Sequence, residues 1–170
     1  MAEALDAALP PDLDDLAHQV VQEACDRRLK LVTAESCTGG LLASLLTDIP
    51  GCSHAFERAF VTYSAEAKSE MLGVPAPLLA SEGAVSRAVA IAMAEGALAR
   101  SKGDMAVSIT GFTEANPETG QDGGLVHFAA ARHGTPTLWR RIRFGDIGRA
   151  EVRLGCLETG LQLFQALMRP

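Results

Sequence analysis

The chain has little aromatic surface: one tryptophan, one tyrosine and six phenylalanines in 170 residues. Trp139 and the phenylalanines are read as core, which leaves no row of rings on which bases could stack. Positive charge is also scarce, with 15 basic against 21 acidic side chains and a net charge of -6. Nucleic acid needs a dense basic footprint and is excluded as the main partner. A small anionic substrate stays compatible, because a local pair of arginines can outweigh the global sign. No apolar run reaches membrane-spanning length, and the N-terminus is acidic and amphipathic rather than a signal sequence. The four cysteines, Cys25, Cys37, Cys52 and Cys156, show neither close pairing nor metal-type spacing. His18, His54, His127 and His133 are scattered, without ligating neighbours in sequence. There is no Walker-type glycine loop, no dinucleotide fingerprint and no His-Glu-x-x-His helix. These absences predict a cytoplasmic protein with reduced thiols, no bound metal and no membrane contact.

What is present is ordinary for a globular chain, with 48% apolar and 21% charged residues. The length suits one domain spanning 1–170, and no repeat, linker or low-complexity stretch divides it. Apolar positions at Leu13, Leu16, Val20 and Ala24 predict a helix over 12–28, with Asp12 as its N-cap. Leu31 to Ala34 reads as a buried strand, and 38–47 as a helix apolar nearly all round, stopped by Pro50-Gly51. "FVTYS" (60–64) is β-rich, and a short helix follows it and ends at Gly73. The helix over 84–100 places Val85, Val89, Ala92, Met93 and Gly96 on one side. A strand over 105–110, a polar loop over 111–123 and a hairpin of strands 124–132 and 137–144 come next. The last helix, 149–168, turns Val152, Cys156, Leu163 and Leu167 inward. This order predicts a three-layer α/β domain with a central mixed sheet covered by helices.

Four stretches can carry chemistry. "TAESCTGG" (33–40) runs a short strand into a Gly-Gly helix start, leaving backbone N–H groups free to meet negative charge. Ser36 and Thr38 at that turn suit either a helix cap or a nucleophile. Cys37 lacks a paired histidine and is read as packing. "VTYSAEAKSE" holds Tyr63 and Lys68. The positive helix end near Lys68 would depress its pKa, and a neutral lysine is a competent base for a hydroxyl. Thr110 and Gly111 lie at the carboxyl end of a strand, where ligands collect in α/β folds. Arg149 and Arg153 stand one helical turn apart, able to clamp a phosphate or to pair with Glu151 or Asp146 on the surface.

Five segments then combine: "TAESCTGGLLASLLTDIPG" (33–51), "FVTYSAEAKSEMLGV" (60–74), "GAVSRAVAIAMAEGALARS" (83–101), "VSITG" (107–111) and "GDIGRAEVR" (145–153). Together they resemble the CinA C-terminal domain family, the nicotinamide-nucleotide amidases, in its stand-alone form without a molybdopterin-protein-like N-terminal domain. The resemblance implies hydrolysis of the nicotinamide mononucleotide carboxamide to nicotinate mononucleotide and ammonia, without metal or cofactor. It puts the nucleophile on Ser36, the base on Lys68 and the motif tyrosine on Tyr63. Glu35, Thr38, Gly39, Gly40, Thr110 and Gly111 would surround the substrate, and Arg149 or Arg153 would hold the phosphate. It also implies a homo-oligomer whose partner is a small nucleotide. The loop departs from the family pattern. Phe112 and Glu114 add bulk and negative charge where the family keeps small residues, and "GDIGR" carries extra residues before its arginine. Two further readings follow from that departure: an amidase for another amide, and a non-catalytic nucleotide- or partner-binding domain.

Overall fold

The computed structural model describes residues 9–169, so the acidic stretch 1–8 lies outside the described residues. Five strands form one sheet in the order β2-β1-β3-β4-β5. They are β1 (Leu31–Glu35), β2 (Phe56–Val61), β3 (Met105–Gly111), β4 (Leu125–Arg132) and β5 (Leu138–Arg143). β1 pairs parallel with both β2 and β3, while β4 and β5 join antiparallel. Six α-helices lie among the described residues: α1 (Pro11–Asp26), α2 (Leu41–Thr47), α3 (Ala65–Leu72), α4 (Ala76–Glu82), α5 (Arg87–Ala99) and α6 (Arg149–Met168). None of them is long and apolar enough to cross a membrane.

The period-2 alternation of the strands divides the core between the two sheet faces. Leu31, Met105, Val107, Ile109, Val126, Phe128 and Ala130 face α1, α2 and α6. Val32, Ala34, Ala106, Ala129 and Ala131 face α3 and α5. All five residues of β1 are buried, as expected of a central strand covered on both sides. From β1 the chain goes to one side through α2 to β2, then crosses the other face through α5 to β3. The chain direction therefore splits at the carboxyl end of β1, the place where open α/β sheets leave a crevice.

Several expected boundaries shift for identifiable reasons. Asp12 is not the cap of α1: the helix starts at Pro11 after Pro10, and Asp12 sits in its first turn. α2 begins at Leu41 rather than 38, because Gly39 and Gly40 adopt left-handed φ of 62° and 97° and hold a turn open before it. Only Leu42, Leu45 and Leu46 of α2 are buried, so it is not apolar on every side. β2 spans Phe56–Val61, with one further bond from Thr62 N–H to the Glu35 carbonyl where β1 itself ends. α5 starts at Arg87, capped by Ser86 Oγ on the Val89 N–H, which leaves Val85 in the preceding loop. Trp139 is not core. It lies on the outer strand β5 with 43% of its surface exposed, under the Arg87 guanidinium at 3.9 Å from the ring centroid. The cysteines are distant in sequence, yet Cys37 meets Cys156 and Cys25 meets Cys52, all as free thiols.

Candidate active site

Strand alternation sends neighbours Glu35 and Ser36 to opposite faces. Glu35 is fully buried beneath α2. Its carboxylate accepts from the Thr38 hydroxyl at 2.6 Å and from the N–H groups of Leu42 at 3.1 Å and Ala43 at 2.8 Å. Gly40 at the N-cap position has no side chain, so a strand carboxylate does the capping instead. Ser36 points the other way, toward α3. That helix is fixed at its start by Ser64, whose hydroxyl accepts from Ala67 N–H at 3.0 Å, and is closed by Gly73 in a left-handed C-cap.

Lys68, one turn into α3, is among the largest fully buried side chains of the described residues. Its Nζ donates to Ser36 Oγ at 3.1 Å, to the Thr62 carbonyl at 2.9 Å and to the Tyr63 carbonyl at 3.4 Å. No carboxylate pairs with it among the described residues. Burial disfavours the ammonium and lowers the Lys68 pKa, with the nearby Cys37 thiol acting in the opposite direction. The dominant cause is desolvation rather than the helix end. Cys37 is lowered chiefly by the hydrogen bond with the Cys156 thiol, against burial, while Cys156 is raised by the same contact.

A cavity of about 690 Å³ opens over this pair, a size usual for small-molecule sites. Ser36, Cys37, Tyr63, Lys68, Thr110, Gly111 and Arg149 all line it, so the structure gathers these positions from α3, β3, α6 and the loops after β1 and β2. The Tyr63 phenol stands at the rim, 79% of the residue exposed, and its backbone carbonyl is what touches Lys68. Thr110 Oγ1 is tied to the Ala84 carbonyl at 2.8 Å and brings Ala84 and Val85 into the wall.

Five expected substrate contacts lie elsewhere. Glu35 and Thr38 are consumed by the α2 cap, and Gly39 and Gly40 form the turn behind it. Arg153 donates from Nε to the Cys37 carbonyl at 3.0 Å and braces the turn from α6. Arg149 does face the cavity, but its partner is Glu114, not Glu151 or Asp146. Nε and Nη2 donate to the two Glu114 oxygens at 3.1 and 3.0 Å. The loop bearing Glu114 is ordered by its own bonds, with Asn116 and Gln121 exchanging backbone hydrogen bonds at 3.0 and 3.1 Å. The Thr62 carbonyl, Ala84 and Gln121 escape motif reading, because backbone groups and loop folding leave no residue-type signature.

The CinA C-terminal domain model matches residues 13–168. The chain belongs to the CinA C-terminal domain family. Within it, the chain is 43% identical over 159 residues to the nicotinamide-nucleotide amidohydrolase PncC of Escherichia coli, covering 90% of this chain and 95% of that protein. A CinA-like protein of Anaeromyxobacter is 39% identical over 167 residues, 96% of this chain but 40% of the relative's own length. The crystal structure of a competence/damage inducible protein, CihA, from Agrobacterium tumefaciens superposes with a TM-score of 0.90 at 42% identity, over 95% and 98% of the two chains.

Proposed function

We propose that this CinA-family chain is an amidohydrolase that converts nicotinamide mononucleotide to nicotinate mononucleotide and ammonia, with Ser36 as nucleophile and Lys68 as base. The 3.1 Å contact between Lys68 Nζ and Ser36 Oγ carries the proposal. A buried lysine with no carboxylate partner among the described residues favours its neutral form, and only that form accepts the serine proton. The naming of a relative matched over 95% of its length as a nicotinamide-nucleotide amidohydrolase supports the substrate class.

Ser36 Oγ attacks the carboxamide carbon while Lys68 takes its proton. The charge that develops on the carbonyl oxygen meets the N–H groups of the turn. Among the described residues no backbone carbonyl takes the N–H of Cys37, which lines the cavity and is suited to that duty. The Lys68 ammonium then gives its proton to the amide nitrogen, the C–N bond breaks, and ammonia leaves an acyl-Ser36. Water attacks this ester as Lys68 takes its proton, Lys68 returns that proton to Ser36 Oγ as the acyl C–O bond breaks, and the acid leaves as its carboxylate with its own proton going to solvent. The Thr62 and Tyr63 carbonyls aim Nζ throughout, the Tyr63 ring borders the entrance, and Arg149 meets the phosphate. The proposal also places the enzyme in the cytoplasm as a homo-oligomer.

Ammonia release from nicotinamide mononucleotide tests it. Wild type turns over, and Ser36→Ala and Lys68→Ala each fall by at least about 10³-fold, as removal of a member of a catalytic unit does. No ammonia from wild type, or full activity in Ser36→Ala, rejects the reading.

A further inference from the structure

Two cations and two carboxylates line the cavity: Lys68, Arg149, Glu114 and Glu118. Lys68 is committed to Ser36 and the Thr62 carbonyl. Arg149 is thus the cation open to an anionic group of a ligand, and it is already engaged. Two parallel N–H bonds at 3.1 and 3.0 Å bind it to both oxygens of Glu114, the fork that a guanidinium offers equally to a phosphate. We infer that Glu114 is a specificity-determining residue: it occupies the Arg149 fork and competes there with the phosphate of a nucleotide substrate. The inference rests on the amidase reading for its ligands.

Glu114 does not reach Arg149 by chance of a wandering side chain. Gln121 Nε2 donates to the Glu114 carbonyl at 2.8 Å, and Asn116 and Gln121 close the loop by mutual backbone bonds. Asp122, at the far end of the loop, pairs with Arg143 of β5. The carboxylate is therefore presented by a segment anchored at both ends. Arg149 and Glu114 are about half exposed, at 48% and 56%, so water screens the pair and a ligand can open it. A phosphate that takes the fork meets a released carboxylate beside it, and like charges repel. A nucleoside amide without phosphate leaves the pair closed. The pair thus narrows the preference for the phosphorylated substrate over the unphosphorylated one.

Binding measured by calorimetry on Ser36→Ala and Ser36→Ala/Glu114→Gln tests this without turnover, using nicotinamide mononucleotide and its riboside. Glu114→Gln tightens the mononucleotide about fivefold, the worth of an exposed ion pair, and changes the riboside less than about twofold. Equal changes for both ligands, or none for either, overturn the Glu114 assignment. Ammonia release by wild type judges the amidase reading separately. Selective tightening without release keeps Glu114 and rejects the amidase; failure of both ligands to bind rejects the two together.

Discussion

Lys68 reaches Ser36 with its amine withdrawn from water and, among the described residues, no carboxylate to balance it, and its pKa is lowered by that burial. The proposed base acts only when neutral, and the neutral fraction grows as pH rises through the lowered pKa. The expected kcat/KM profile climbs with pH and levels off before the ordinary lysine range is reached. A rate indifferent to pH between about 6 and 10 would remove Lys68 from the role. Glu35 shows the opposite kind of importance. Three donors converge on its carboxylate, so Glu35→Ala strands two helix N–H groups and a hydroxyl in the interior. The loss expected is about 2–4 kcal/mol, with Glu35→Gln recovering part of it, read from urea midpoints. A midpoint for Glu35→Ala equal to wild type would count against this capping duty. The motif reading placed Ser36 and Lys68 as candidates because their residue types announce chemistry. It grouped Glu35 with them because a quoted string hides which face of the strand each residue takes.

At the scale of elements, α3 is the arm that carries Lys68, and Ser64 fixes where the arm begins. Ser64→Ala is expected to cost about 1 kcal/mol in thermal or urea unfolding and to lower kcat more than it raises KM, because Lys68 loses alignment. Unchanged kcat in a destabilised variant would separate the cap from the chemistry. Most elements are legible: α1, β1, β3, β4, β5 and α6 lie within a residue or two of their expected limits. The exceptions have physical causes. β2 begins with Phe56-Glu57-Arg58, where charged side chains at the sheet edge interrupt any apolar signal. α4 was not foreseen, since none of its seven residues is buried and Pro75 precedes it. Trp139 looked like core because a large ring usually is, but β5 has exposed residues nearly throughout. The ion pair between Glu114 and Arg149 spans 35 residues and depends on how the loop folds back, which no local pattern encodes.

The molecule as a whole places its site where three parallel strands end together, with α2 departing on one face and α5 crossing the other. This arrangement was legible as a class, because strands and helices interleave in the way that demands a covered sheet. The proposed homo-oligomer is not, since an outer surface records no partner in its spacing. Light scattering of the purified protein is expected to give a multiple of the 17.9 kDa chain. A monomer at micromolar concentration would set aside the homo-oligomer.

Arg153 gives the site a calendar. Ser36 emerges early in synthesis, and Lys68 follows 32 residues later. The carbonyl next to Ser36 receives its brace only when residue 153 has been made and α6 has docked. A growing chain therefore holds Ser36 and Lys68 long before it holds them in their final order.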